Sequence, residues 1–370
     1  MKKTVVVFSA YYYPHLGGIE RYIDNMMHQF IKKNIEVILV TSNYNNAKEL
    51  DEIDGIKIIR LPVYKKFKNR YPIIKNNKKC KELLKELDKY SINSIIVNTR
   101  FHLTSHIGAK YGIKNNIPVY LIEHGSNYVT LDNKFIDFFA NVYERHLTRR
   151  IKNKITSFYG VSEAAADWIK EFNIKADGVW YNSINTDQKL PKRKKHKGIN
   201  FLYAGRLIKQ KGVENILNAF SKLEKKYDNI KLFIAGDGPE FDKYKNDFKS
   251  KNITFLGKLS YDELIKYYAI TDVFLYPPLW PEGLPTSILE AGLMKCTVIG
   301  TNQGGIVEVI KDKKNGLIVK ETEKSLLNGM ERLIKDEKLR KELANNLYDT
   351  IMNKFSWDVT SDKIIENIKE

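Results

Sequence analysis

Short apolar runs alternate with amphipathic segments along the chain. In the first half the runs are 5–9, 36–40, 56–61, 94–98, 119–122, 156–159 and 179–181. Segments with a helical spacing of apolar positions lie at 19–32, 76–90, 102–114, 135–152 and 163–171. A hydrophilic stretch, 186–198, interrupts the series, and the pattern then restarts. Its strands are predicted at 200–204, 231–235, 253–256, 272–276, 297–300 and 317–319. Its helices are predicted at 213–226, 240–249, 261–269, 286–294, 306–310, 323–335 and 337–354. Two successive strand–helix series predict an α/β protein of two doubly wound, Rossmann-like domains, 1–185 and 199–354, joined by a linker at 186–198. The cleft between two such domains is the default place for a ligand.

Composition agrees with two domains. The chain has 370 residues, and 43% of them are hydrophobic, enough for two cores. Cys80 and Cys296 lie far apart without CxxC spacing, so a disulfide framework or zinc site is not expected and a reducing compartment is. The opening MKKTVVVFSA has too short an apolar run for a signal peptide and reads as the first buried strand. No run approaches the ~20 apolar residues of a membrane span, so a soluble chain is expected. Charge is uneven. Residues 1–185 hold 29 Lys and Arg against 18 Asp and Glu, whereas 199–370 hold 27 against 25, and 188–198 add six cations. A basic surface confined to the first domain and linker points to a polyanionic partner.

The chemistry concentrates at strand ends of the second half. The run 272–277 reads as a buried strand, followed by a turn containing Gly283, Leu284, Pro285 and Thr286, then a helix carrying Glu290. Such a unit turns backbone N–H groups toward an anion above the strand end. Glu282 and Glu290 flank that anion and can accept hydrogen bonds from sugar hydroxyls. Another strand end carries Gly205 and Arg206, then Lys211 and Gly212. Arginine offers a planar fork for two phosphate oxygens, and lysine a mobile point charge. Gly236 and Gly238 follow the next strand, and Gly304 and Gly305 a later one. Diphosphate plus hydroxyls is the chemistry of a nucleotide sugar.

The motifs GRLIKQKG (205–212), GDGP (236–239), the acids at 282 and 290, NQGGIVEVI (302–310) and NGLIV (315–319) together resemble the donor domain of a family 4 glycosyltransferase of the GT-B fold. GGIER (17–21), EHG (123–125), Val161-Ser162 and NSIN (182–185) extend the resemblance to an acceptor-binding first domain. The last stretch, 355–370, resembles the family's terminal helix, which crosses back to that domain. The resemblance implies that Arg206 and Lys211 bind the donor diphosphate and stabilise the charge that grows as it leaves. Glu290 would hold the ribose, Glu282 the transferred sugar, and Gly205, Gly236, Gly238 and 283–286 would line the donor site. Gly17 and Gly18 would admit the donor phosphate and acceptor, and His124 would contact the transferred sugar. Glu20 is read instead as a salt-bridging or capping residue within its helix. Retention of anomeric configuration is implied, with no cofactor and no metal. The turn departs from the family's usual aromatic pattern at Leu284-Pro285, and Pro285 removes a backbone donor.

The acceptor side carries a further signal. Residues 64–81 contain eight cations and no acids, interleaved with Tyr64, Phe67, Tyr71, Ile73 and Ile74, and 145–154 is a second basic cluster. Basic segments bearing aromatics bind anionic bilayers. The expectation is a cytoplasmic enzyme, peripheral on the inner face of the cell membrane. It would transfer a hexose or N-acetylhexosamine to a lipid-linked or glycan acceptor in cell-surface polysaccharide, glycolipid or glycoprotein-glycan assembly. The alternative is a soluble GT-B glycosyltransferase of the sucrose- or glycogen-synthase type with a non-lipid acceptor, which would leave the basic first domain unexplained; a non-catalytic nucleotide-sugar sensor finds no broken motif to support it. A nucleic-acid partner is not expected, because no recognisable module or stacking platform accompanies the charge.

Overall fold

The computed structural model describes residues 2–15, 17–64, 72–128, 134–281 and 283–368. The chain divides into two compact units. The first is Met1–Tyr181 with Thr360–Glu370, and the second is Asn182–Val359.

The first unit holds strands β1 (Thr4–Phe8), β2 (Glu36–Asn43), β3 (Leu50–Ile53), β4 (Ile56–Pro62), β5 (Ile92–Asn98), β6 (Val119–Glu123), β7 (Ser157–Gly160) and β8 (Gly178–Val179). Its helices are α1 (Gly18–Lys32), α2 (Lys78–Lys85), α3 (Leu103–Lys114), α4 (Lys134–Ile151) and α5 (Glu163–Trp168). The sheet order is β3-β4-β2-β1-β5-β6-β7-β8. All pairs are parallel except β3 with β4. Every residue of β1 is buried, as a central parallel strand covered on both faces requires.

The second unit holds β9 (Ile199–Ala204), β10 (Ile230–Ala235), β11 (Ile253–Gly257), β12 (Val273–Tyr276), β13 (Thr297–Thr301) and β14 (Leu317–Val319). Its helices are α6 (Val213–Leu223), α7 (Phe241–Asp247), α8 (Tyr261–Tyr268), α9 (Thr286–Leu293), α10 (Ile306–Val309), α11 (Glu323–Lys335) and α12 (Glu337–Lys354). The order β11-β10-β9-β12-β13-β14 is parallel throughout. From β9 the chain winds one way, from β12 the other. The carboxyl ends of these two neighbours therefore form the topological switch point, where open α/β sheets bind ligands. A last helix, α13 (Trp357–Asn367), starts in the second unit and belongs to the first from Thr360 onward.

Three details depart from the sequence reading. Strand β3 was not expected. It pairs through a turn in which Asp54 and Gly55 have φ of 49° and 80°, the geometry of a tight Asp-Gly hairpin. The unit boundary falls after Tyr181 rather than at 185. Ile184 N–H donates to Phe355 O at 2.9 Å and Trp357 N–H to Ile184 O at 3.0 Å, tying 182–185 to the chain's last segment within the second unit. The stretch 186–198, read as a linker, is a strap fastened to the second unit. Arg193 donates to the carbonyls of Met294 and Thr271 at 2.8 Å each, and His196 lies 3.3 Å from the Asp272 carboxylate. Its basic residues thus serve packing as well as charge.

Candidate active site

The loop after β9 is built by hydrogen bonds that leave a cation at the strand end. Gly205 N–H donates to Ala235 O at 3.0 Å, and Leu207 N–H to Asp237 O at 2.9 Å. The Tyr203 hydroxyl donates to Arg206 O at 3.0 Å. These bonds hold Arg206 exposed, and among the described residues no carboxylate pairs with it. The next loop must pack tightly against this one. Gly236 has φ of 130°, and a Cβ there would stand 1.8 Å from Gly205 O. At Gly238 a Cβ would stand 2.3 Å from Leu207 O. The glycines at 205, 236 and 238 thus shape the loop that presents Arg206.

Lys211 lies on a short helical turn ended by Gly212, whose φ of 69° starts α6. Its Nζ donates to the Tyr276 hydroxyl at 2.9 Å. Tyr276 is the last residue of β12, so Lys211 is drawn across the switch point. Beyond Tyr276, α9 begins after Pro285, which has extended backbone and makes no side-chain cap. Pro285 therefore supplies no side-chain acceptor to the first-turn N–H groups of α9, which a side chain at that position usually does. Gly305 lies against the Gly283–Leu284 backbone, where a Cβ would be 2.9 Å from Leu284 N. The Leu284 side chain is buried, so this residue can offer a ligand its backbone alone. Glu290, one turn into α9, accepts from the Tyr268 hydroxyl at 3.1 Å. Tyr268 is wholly buried; burial first, then Glu290, hold its hydroxyl protonated, so it remains a donor that orients the carboxylate. Glu282 lies outside the described residues. Arg206, Lys211, 283–286 and Glu290 are thus gathered by loops after β9 and β12.

In the first unit, Gly17 caps α1 and its N–H donates to Glu20 Oε2 at 2.8 Å. Of the two roles read for Glu20 from the sequence, this bond is the cap. A Cβ at Gly17 would stand 2.6 Å from that oxygen, while one at Gly18 would meet nothing within 4 Å. The glycine at 17 is explained by the cap, and the one at 18 opens outward.

His124 follows β6 and is half-buried. Its Nε2 lies 2.9 Å from Asn98 Oδ1, and its ring stands edge-on to Tyr22 at 5.1 Å. Asn98 Nδ2 donates to Phe8 O at 3.1 Å, which turns Oδ1 toward the histidine. Nε2 therefore carries the proton and Nδ1 is left as an acceptor. Burial, aided by His102, lowers the His124 pKa to about 3, so the ring is neutral at physiological pH. The turn is held by Glu123, whose Oε1 accepts the N–H groups of His124 and Gly125 at 3.0 Å each. Its other oxygen pairs with Arg100, which also pairs with Glu144 of α4; all three residues are buried. The guanidinium stacks on Phe172 at 4.0 Å.

Burial also lowers His102 and His106 to about 4. Below the ordinary value of about 6.5, the unfolded chain binds protons that the folded one refuses. Stability is thus retained above pH 6.5 and lost as pH falls toward 4. A thermal-denaturation series should show the melting temperature falling across that window.

Sequence comparison decides the family. Residues 16–188 match the model described as Glycosyltransferase Family 4, and 185–350 the one described as Glycosyl transferases group 1. The chain belongs to glycosyltransferase family 4. This glycosyltransferase is 27% identical to the uncharacterised glycosyltransferase MJ1069 of Methanocaldococcus jannaschii, over 96% of this chain and 95% of that protein. It is 20% identical to the phosphatidylinositol N-acetylglucosaminyltransferase GPI3 subunit of Saccharomyces cerevisiae, over 98% of this chain and 82% of that protein. Among solved structures, Anabaena HepE in complex with UDP and glucose matches with a TM-score of 0.71 at 15% identity, covering 99% of both chains. The fold of the glycosyltransferase is GT-B.

Several residues that build the site were not singled out in the sequence. Tyr203, Tyr276 and Tyr268 hold the second-unit groups, and Asn98, Arg100, Glu123 and Glu144 hold His124. The local signals were a polar residue closing an apolar strand, at Asn98 and Glu123, and for Glu123 its place in the EHG motif.

Proposed function

We propose that this protein is a retaining, metal-independent hexosyltransferase. It moves a hexose or N-acetylhexosamine from a nucleotide diphosphate sugar to a lipid-linked acceptor at the cytoplasmic face of the membrane. The observation that carries the reading is the exposed Arg206, without a carboxylate partner among the described residues, at one switch point with Lys211 and with the start of α9, where Pro285 supplies no side-chain cap. Arg206 and Lys211 take the diphosphate, backbone N–H groups of 283, 284 and 286 assist, and Glu290 takes the ribose hydroxyls. Glu282 is assigned to the transferred sugar. Of the first unit, Gly17 and Gly18 are assigned to the approach of donor phosphate and acceptor, and neutral His124 to the transferred sugar.

In the reaction, the acceptor oxygen forms a bond to the anomeric carbon while the bond from that carbon to the phosphate oxygen breaks. The electron pair goes to the diphosphate, which takes the acceptor proton. Cations placed where that charge develops lower the barrier without reorganising. The complex of HepE with UDP and glucose supports a UDP-sugar donor. The name of the yeast relative supports a lipid acceptor. The basic cluster 145–154 supports an anionic membrane surface. Of the segment 64–81, residues 65–71 lie outside the described residues.

A thermal-shift panel of UDP- and GDP-sugars tests the donor. One donor at about a hundred times its dissociation constant should stabilise the fold by about 2.7 kcal/mol, a rise of several degrees. No rise with any nucleotide sugar would defeat the assignment.

A further inference from the structure

Helix α4 carries an apolar stripe that stays more than half exposed. At about 100° per residue, Glu144, Leu147, Thr148 and Ile151 share one side of the helix, and all four are buried. Phe135, Phe138, Phe139 and Val142 share the opposite side, at the i, i+3, i+4, i+7 spacing of a single face. They are 73%, 61%, 56% and 51% exposed, so no small shift of the helix would bury them with the core. Their rings gather with each other, Phe135 on Phe139 at 5.0 Å and Phe138 on Phe139 at 5.5 Å. Ile136 and Tyr143 flank them and are exposed too. Elsewhere among the described residues the large exposed apolar side chains do not line up along one helix face; Tyr64 and Ile73, joined by a backbone hydrogen bond of 2.9 Å, form a pair. Clustered exposure of this kind marks an interaction surface.

Charge identifies the occupant. The outward stripe continues past Val142 as Arg145, His146, Arg149 and Arg150, and the following turn adds Lys152 and Lys154. The helix thus presents about 10 Å of apolar face followed by a cationic one. A second copy of the chain laid parallel along this face would bring the same cations against each other, and an antiparallel one would leave them unmatched beyond the apolar contact. A bilayer offers hydrocarbon to the first half and headgroup phosphates to the second, within one helix length. The helix is also fastened. Glu144 pairs with Arg100, whose other partner, Glu123, holds the His124 turn.

We propose that the exposed face of α4 inserts into an anionic lipid bilayer, with the four apolar residues entering the acyl boundary and Arg149 and Arg150 resting on phosphates. The proposal rests on the membrane-acceptor reading above and names the element that would do the docking. It adds apolar insertion to the charge attraction that the basic clusters alone would give.

Co-sedimentation of the full chain with phosphatidylcholine vesicles, with and without about one-third phosphatidylglycerol, tests it at about 0.1 M and 0.5 M salt. The wild type should bind the anionic vesicles and keep a measurable fraction bound at high salt, because insertion is not screened. The double variant Phe135→Ser/Phe139→Ser should lower the partition coefficient at least about ten-fold, while Phe135→Leu/Phe139→Leu retains it. Both variants should keep the melting temperature and the nucleotide-sugar shift of the wild type. Equal binding by the serine variant, with all binding lost at high salt, would overturn insertion and leave the membrane reading standing. No binding at all would overturn both. A dimer by light scattering that the serine variant abolishes would assign the face to a second copy and overturn the proposal as well.

Discussion

Arg206→Ala lowers transfer from the donor sugar by about 10²–10³-fold in kcat, with the melting temperature unchanged. The side chain is exposed and is held at the end of β9 by backbone bonds that alanine retains, so the fold has little to lose. In the proposed reaction, what disappears is a fork of donors aimed where negative charge grows on the leaving diphosphate. Arg206→Lys should recover only part of the rate, because an ammonium cannot reproduce the two parallel bonds. Steady-state kinetics on the donor identified by the thermal-shift panel gives the numbers. A kcat within about two-fold of wild type would remove Arg206 from the leaving-group role.

Arg100→Met has the largest expected effect on stability. Arg100, Glu123 and Glu144 form a buried ion cluster that joins the ends of β5 and β6 to α4. Removing the cation leaves two buried carboxylates that have lost their shared partner, a loss of about 3–5 kcal/mol. For a unit of this size that lowers the melting temperature by about 10 °C or more. Chemical denaturation of wild type and variant measures it. The double variant Arg100→Met/Glu144→Leu should recover part of the loss, since Glu123 still accepts two backbone N–H groups. An Arg100→Met protein as stable as the wild type would show that the cluster contributes nothing to the fold.

Much of the architecture was legible because parallel strands buried on both faces read as continuous apolar runs, and β1 and β9 are such runs. Strand β3 was not. Its exposed and half-exposed residues carry only two apolar side chains in four, and the sole signal was the Asp54-Gly55 pair. The strap at 186–198 was read as free linker because nothing in a lysine-rich sequence says that Arg193 will find carbonyls about 80–100 residues away.

The clustering of the proposed donor-side residues was legible from strand ends, since a cation, a glycine and a helix start within a few residues constrain one another locally. The supports of those groups were not. Tyr268 reaches Glu290 across 22 positions, and Asn98 reaches His124 across 26, so only the fold brings them together. The apolar residues of 135–143 show a limit of another kind. Their periodicity predicts a helix correctly, and a face turned to the core has the same spacing as one turned outward. Only the buried stripe at 144, 147, 148 and 151 reveals which side the aromatics take.

The central claim is that one diphosphate is gripped where the β9 and β12 loops meet. Calorimetric titration of UDP and GDP into the wild type, Arg206→Ala and Glu290→Ala tests it directly. Binding of one nucleotide to the wild type, weakened about ten-fold or more in each variant, is the predicted result. Equal affinity in all three proteins would contradict the account.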